Sequence, residues 1–301
     1  MAALGYKIKV YQTTAMNYCQ EKFRVASCYT YPLFSTQFLE DLPANTGAKA
    51  WVLISSFLFH SDFIRTLKNG YWHLANYIER ISGLALPFPW SWDGRRTSPI
   101  EASRALEKLG DDLQSSPQGT LFFAHLLTPH GPFVYNSDCK IYENPVAEWS
   151  LVSDPAYFGR ENTPSSRAKR YKMYLTQVKC LNEQLRGLFD AMRSAKIYDE
   201  TTIIIHGDHG PRIRLTRPTY ATRKEISPED WRDTYSSLFA VKGSGQKAGY
   251  DLRELSLNQL FAKATGPIFN REITMAPQTP YVNLRVNGEK FSRWPVSLFD
   301  G

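Results

Sequence analysis

The sequence predicts an α/β fold in which a mostly parallel central sheet carries helices on both faces. Three short apolar runs, separated by helical segments, support this prediction: residues 120–124 (TLFFA), 202–205 (TIII) and 237–241 (SLFAV). Strands that are buried on both faces have continuous apolar runs of this kind, and the helices between them connect parallel strands. Alternating residues in 5–11 predict a further strand near the start of the chain.

Length and composition set the class of protein. The chain has 301 residues, of which 43% are hydrophobic, and this excludes disorder and allows one large domain or two small ones. The net charge is +7, but the basic residues are scattered and no nucleic-acid-binding motif appears, so we expect no nucleic-acid partner. The longest apolar run, 51–59, is too short for a bilayer span of about 20 residues and predicts a buried strand or helix.

Two amphipathic helices connect the apolar runs. Pro99–Leu113 has apolar residues at positions 102, 106, 109 and 113, with Ser98 available as a cap. Tyr171–Met192 has an apolar stripe at positions 171, 174, 175, 178, 181, 185, 188, 189 and 192. Both stripes predict core packing. Residues 136–170, rich in Pro, Ser and Asn, predict a long loop, and we divide the chain into a domain at 1–265 and a peripheral tail at 266–301.

The four cysteines do not form the CxxC pairs of zinc ribbons or thioredoxins. Their spacing suits two disulfides, Cys19–Cys28 and Cys139–Cys180, which would place the protein in an oxidising compartment. Four buried free thiols in a cytosolic protein are the alternative, because the sequence does not determine connectivity.

Polar side chains follow two of the predicted strands. The run at 202–205 leads into HGDHGPR, in which Asp208 and His209 offer a carboxylate and an imidazole suited to zinc or manganese. The run at 120–124 leads into HLLTPHGPF, which contains His125 and His130. Either segment alone fits a cap or a polar surface. Because the carboxyl ends of parallel strands meet at one sheet edge, both together indicate a site there.

These segments resemble a known family. The order strand–HxxxPHGPF, helix, strand–GDHG is similar to that of sulfatase-like hydrolases and transferases of the alkaline phosphatase superfamily. This group includes arylsulfatases and membrane-anchored phosphoethanolamine and phosphoglycerol transferases. Residues 196–202 (KIYDETT) resemble the family's approach to its second metal-binding strand, and the resemblance covers roughly residues 5–250.

The resemblance implies roles for individual residues. Asp208 and His209 match metal ligands, with zinc, manganese or calcium as the ion. His130 matches the histidine that contacts the transferred phosphate or sulfate, and His125 matches one that helps to bind metal or substrate. Arg212, by its position and chemistry, suits an anionic oxygen, although a structural salt bridge explains it equally well.

Three other histidines have no catalytic assignment: we expect a structural role for His206 and none for His60 or His73.

Two parts of the family's site have no counterpart in the sequence. The resemblance implies an acidic metal ligand on an earlier strand and a nucleophile after it, and no cysteine lies in a CxPxR context that would form formylglycine. Thr13 and Thr14 follow a predicted strand, but local hydrogen bonding explains them better. We therefore expect a C-terminal portion of a longer extracytoplasmic enzyme, with an incomplete N-terminal sheet, marginal stability and little activity alone. Any membrane association would come through upstream segments.

The expected activity is metal-dependent hydrolysis or transfer of a phosphoryl or sulfuryl ester of an anionic envelope lipid or glycan. It would proceed through a covalent intermediate on a nucleophile outside this chain. Arginines at 212, 214, 217 and 223 would attract the anion or form a solvated face. Sulfate-ester hydrolysis is the first alternative, a non-catalytic remnant or binding module the second, and a nucleic-acid binder the third.

Overall fold

The computed structural model describes residues 2–33, 35, 37–47, 49–50, 97–143, 162–243, 246–251, 253, 255–269, 281–287 and 290–295, with isolated positions between 53 and 82. The chain divides into two compact units. The first contains residues 1–152 and 170–192, and the second contains 153–169 and 193–301. The predicted division at residue 265 stays a prediction.

A three-stranded parallel sheet forms the centre of the first unit. Its strands are β1 (Lys7–Thr13), β2 (Ser27–Tyr31) and β3 (Thr120–Ala124), in the order β2-β1-β3. β1 pairs in parallel with both neighbours, and its last four residues are buried, as expected for a central strand. The predicted strands at 5–11 and 120–124 are thereby confirmed, whereas β2 was not predicted.

Helices flank this sheet. A short helix, α1 (Phe38–Asp41), precedes the two long ones, α2 (Ser98–Ser115) and α3 (Pro164–Ser194). Leu106 and Leu109 of α2 form a core cluster with Tyr11 of β1, and Leu185 of α3 packs against that cluster. The α/β class with a parallel sheet flanked by helices is confirmed.

Two details of the long helices differ from the sequence prediction. Ser98 is the first residue of α2 and not its cap: Thr97 holds the N-cap position, and its hydroxyl accepts a hydrogen bond from Ser35 N instead of capping the helix. Leu175, assigned to the apolar stripe of α3, is 59% exposed, while the polar residues Arg170 and Gln177 are buried. Contacts with distant segments, which periodicity does not encode, select the buried face of α3.

Both predicted disulfides are present, and the described residues include no free cysteine. Cys19–Cys28 ties the segment after β1 to β2, and Cys139–Cys180 ties the segment after β3 to α3. Such bonds persist in oxidising compartments, which is consistent with a location outside the cytoplasm.

The second unit contains strands that pair antiparallel. β4 (Ile203–His206) pairs with β5 (Phe239–Lys242), and two short helices, α4 (Pro228–Tyr235) and α5 (Leu257–Thr265), lie before and after β5. Both strands were predicted within two residues, but the apolar runs had suggested parallel pairing. A four-residue apolar run predicts a strand, not the direction in which its partner runs. The residues of both strands are half-buried or exposed.

A second antiparallel pair lies near the end of the chain. β6 (Tyr281–Asn287) and β7 (Lys290–Pro295) form a hairpin that was not predicted. Val282 and Leu284 of β6 are buried in a cluster with Ile226 and Trp231. Part of the region that we interpreted as a peripheral tail therefore contributes to a core.

None of the helices among the described residues is both long enough and apolar enough to cross a membrane. The apolar run at 51–59 falls almost entirely outside the described residues.

Candidate functional site

The loop after β3 begins at His125, and a buried tyrosine holds its backbone. Tyr31, at the end of β2, donates from its hydroxyl to His125 O at 2.9 Å and accepts from Leu127 N at 2.9 Å. The His125 amide in turn donates to Tyr11 O at 2.8 Å, which continues the strand pairing. Burial raises the pKa of Tyr31 to about 12, so the hydroxyl keeps its proton for these bonds at neutral pH. The His125 ring lies beside Tyr18, with ring centroids 6.2 Å apart.

His130 lies further along the same loop, and its side chain is exposed. Its Nδ1 is 2.6 Å from Gly131 O. Because a carbonyl oxygen only accepts, Nδ1 carries a proton, and in the neutral ring Nε2 is then the nitrogen with the lone pair. The structure thus places His125 and His130, predicted as a pair, on one loop of the first unit.

Gln177 of α3 braces this loop from the protein interior. Its side-chain Nε2 donates to His130 O at 2.8 Å and to Pro132 O at 3.3 Å, and its Oε1 accepts from Val134 N at 2.8 Å. Nothing in the sequence marks this residue as functional, because a single glutamine on a long helix carries no motif.

In the second unit, Asp208 and His209 follow β4 directly. His209 Nε2 is 3.5 Å from Asp208 Oδ2, and His209 Nδ1 is 2.6 Å from Gly210 O. The latter bond again assigns a proton to Nδ1. The Asp208 side chain is 75% exposed, so its carboxylate is accessible.

The spacing of the pair fits a divalent metal ion. Two ligand atoms that each lie about 2.0–2.1 Å from a tetrahedral zinc ion are about 3.4 Å apart. The Asp208 carboxylate and the His209 imidazole match both that separation and the donor types. Among the residues that the structure describes, no three His, Cys, Asp or Glu side chains gather into a complete metal-binding group.

Two glycines shape the loop that carries the pair. Gly207 N donates to Leu238 O at 3.0 Å, and Gly210 N donates to Thr234 O at 3.2 Å. A Cβ atom on Gly210 would collide with the backbone at the end of α4, so only glycine fits there.

A buried carboxylate holds the chain that follows. Asp230 of α4 accepts from Leu215 N at 3.1 Å and Thr216 N at 2.8 Å, and forms an ion pair with Arg167 at 3.2 Å. Asn162 donates to Leu215 O at 2.8 Å. These contacts anchor the segment that begins at Arg212.

The four arginines that were predicted to attract an anion have different environments. Arg212 and Arg217 are exposed, whereas Arg214 is buried. Arg223 stacks on Tyr220 at 3.8 Å and lies 5.0 Å from the Trp294 ring, so it stabilises the hairpin contact. Of these four arginines, Arg212 and Arg217 are the exposed ones, so they are the two that an anion in solution can reach.

His206 and His60 were both given no catalytic role, and the structure describes only the first of them. His206 is exposed and lies edge-on to Phe261, with centroids 4.8 Å apart, and its structural role stays a prediction. His60 lies outside the described residues.

Comparison with known families identifies the type of protein. The sulfatase family model matches residues 89–262, which is more than half of the chain. The chain belongs to the sulfatase family. Neither the curated proteins nor the solved structures yield a match to it. Sulfatases generally depend on a divalent metal ion. The matched residues include the loop that carries His125 and His130 and the loop that carries Asp208 and His209.

In this member of the sulfatase family, the residues that hold the two loops were harder to predict than Asp208 and His209. No sequence motif marks Asp230. It anchors the loop only because the fold brings the backbone amides of Leu215 and Thr216 to its carboxylate. Tyr31 lies 58 residues before the start of the family match, at the end of a strand that the sequence did not predict. Gly210 is the exception, since its place in GDHG was a visible signal.

Proposed function

We propose that this chain carries the metal-binding and anion-binding part of a metal-dependent hydrolase or transferase that acts on phosphoryl or sulfuryl esters. The Asp208–His209 pair carries the proposal, because its donor types and its 3.5 Å spacing suit a divalent ion. The sulfatase family match supports the reaction class.

The proposed roles follow from the two loops. Asp208 and His209 would hold the ion, which polarises the ester and stabilises negative charge when bound. His130, with its proton on Nδ1, would contact a non-bridging oxygen or exchange a proton at Nε2. His125 would assist on the same loop, and the exposed Arg212 would attract the anionic ester. No described residue is assigned as nucleophile, and the covalent route stays a prediction.

The proposed substrate is an ester of an anionic envelope lipid or glycan, with phosphoryl transfer as the first choice. Sulfate-ester hydrolysis is the second candidate, favoured by the sulfatase family match. Two disulfides support a location outside the cytoplasm, where such esters are accessible.

Metal binding by the 301-residue chain tests the proposal directly. We would titrate the protein with Zn²⁺, Mn²⁺ and Ca²⁺ separately by calorimetry and measure the retained metal by elemental analysis. Asp208→Asn and His209→Ala should each weaken binding at least about tenfold, because each removes a ligand. His206→Gln is the matched control. It replaces the histidine at the end of β4, just before the Asp208–His209 pair, and that histidine packs on Phe261.

A second measurement separates the candidate reactions. Binding of inorganic phosphate and of sulfate to the metal-loaded chain would be compared for the unsubstituted protein and for His130→Ala. Weaker binding of the preferred anion by the variant supports the proposal. A protein that binds none of the three ions, or binds them equally well without Asp208 and His209, would instead be a non-catalytic binding module.

A further inference from the structure

Gln177 uses its whole side-chain amide on the loop that carries His130. The residue is fully buried, its relative exposure being 0%. Its three hydrogen bonds reach two carbonyls and one amide within residues 130–134. A buried amide needs partners, but here all of them belong to one short segment.

These bonds surround the group that orients the His130 ring. Gln177 holds the carbonyls of His130 and Pro132, and the carbonyl between them, Gly131 O, accepts from His130 Nδ1 at 2.6 Å. Because the two flanking carbonyls are held, the Gly131 carbonyl stays directed at the ring. The ring then keeps its proton on Nδ1 and presents Nε2.

α3 also contacts the loop further along the chain, at residues 137–139. Cys180, three residues after Gln177 and therefore on the same side of the helix, forms the disulfide with Cys139. Lys179 also donates to Ser137 O at 2.9 Å. The loop is thus attached to α3 at residues 130–134 and again at 137–139.

We propose that Gln177 is a positioning residue that fixes the tautomer and orientation of the His130 imidazole. The use of His130 in catalysis rests on the proposed function, whereas its tautomer can be measured independently. Gln177 contacts no reacting atom and acts through the backbone of the loop.

Nitrogen NMR of histidine-labelled protein tests this proposal. In the unsubstituted chain the neutral His130 ring should show one protonated Nδ1 and one unprotonated Nε2. Gln177→Met, which keeps the volume and removes all three bonds, should give averaged signals of two exchanging tautomers. Exchange of the Val134 amide with solvent should become about tenfold faster, since its acceptor is lost.

A matched control lies on the same helix. Gln184 accepts from Ser103 Oγ at 3.2 Å and also hydrogen-bonds the side chain of Tyr135, beyond the 130–134 segment that Gln177 holds, so Gln184→Met should leave the His130 signals unchanged. If Gln177→Met does not fold, Gln177→Asn keeps the amide on a side chain one methylene shorter and should give the same loss of a single tautomer.

Three results would overturn the proposal: a His130 that carries its proton on Nε2 in the unsubstituted chain, one that already exchanges between tautomers there, or one that is unaffected by both Gln177 variants. If the tautomer responds but the unsubstituted chain binds none of the three metal ions, the positioning role holds and the proposed function fails.

Discussion

The backbone at Gly210 approaches that of Asp233 so closely that a Cβ atom on residue 210 would lie 2.1 Å from Asp233 O. The next contact along the chain, a hydrogen bond of 3.1 Å from Arg212 N to Asp233 O, holds the two segments together. The position of the Asp208–His209 loop therefore depends on the end of α4.

Gly210→Ala should destabilise the protein by about 1–3 kcal/mol, because the added methyl must push two backbones apart. Urea unfolding would measure the loss, and metal affinity should fall with it. The control is Gly187→Ala. Gly187 lies exposed within α3 with nothing near its missing Cβ, so alanine there should raise stability by about 0.5–1 kcal/mol. Equal effects of the two substitutions would contradict the assigned contact.

Tyr31 should make the protein sensitive to alkali. Because burial raises its folded pKa to about 12 from 10.0, its contribution is complete below pH 10 and is lost as pH rises towards 12. The shift corresponds to about 2–3 kcal/mol. Tyr31→Phe should cost about 1–3 kcal/mol near pH 8 through two lost hydrogen bonds, and its stability should then fall less steeply above about pH 10.

Urea unfolding at several pH values would measure the stability of the unsubstituted chain and of Tyr31→Phe. The control is Tyr29→Phe, whose side chain is exposed on the same strand. Burial and then the hydrogen bond to Asp112 also raise the pKa of Tyr11, so some alkaline sensitivity should remain in Tyr31→Phe. A Tyr31 variant as steeply dependent on pH as the unsubstituted chain would count against this prediction.

The two disulfides should contribute unequally to stability. In the chain-entropy description, the sequence separations of 41 and 9 residues correspond to about 4 and about 2.6 kcal/mol. Replacing Cys139 and Cys180 together by alanine should therefore lower the free energy of unfolding more than replacing Cys19 and Cys28. Urea unfolding of both double variants checks the order, and the opposite order would show that native-state contacts dominate.

Among the charged residues near the loop of Asp208 and His209, we expect the substitution of Asp230 to lower the free energy of unfolding most. Its removal by Asp230→Ala leaves Arg167, only 15% exposed, without this carboxylate, and two backbone amides without an acceptor. We expect a loss of about 3–5 kcal/mol by urea unfolding. Glu229→Ala, at the neighbouring 71% exposed carboxylate, should change stability by less than about 0.5 kcal/mol, and a similar loss from both would refute the difference in burial.

Much of the fold was predictable because short apolar runs mark strands and apolar stripes mark helices. The runs at 120–124 and 202–205 correspond to β3 and β4, although their residues are half-buried or exposed, and the buried positions of α3 include the polar Arg170 and Gln177. Pairing direction was not predictable, since the apolar run of β4 is the same whether β5 lies parallel or antiparallel. The hairpin was missed although Val282 and Leu284 alternate with polar residues, because Pro and Asn nearby suggested loops.

The candidate site divides in the same way. Asp208 and His209 stood out as candidates because metal-ligand chemistry restricts the residue types, and the structure places their side chains 3.5 Å apart. Gln177 and Asp230 were not, because each acts on backbone groups that are distant in sequence, and backbone groups are identical at every position.

Three histidines in this protein are followed by glycine, and each ring nitrogen Nδ1 faces the carbonyl of that glycine, at 2.6 Å for His130, 3.1 Å for His206 and 2.6 Å for His209. Each such dipeptide carries its own acceptor for the ring. The acceptor for Nδ1 is therefore supplied locally at each of these positions. The surrounding fold decides whether that acceptor stays directed at the ring, as proposed for Gln177 at the Gly131 carbonyl.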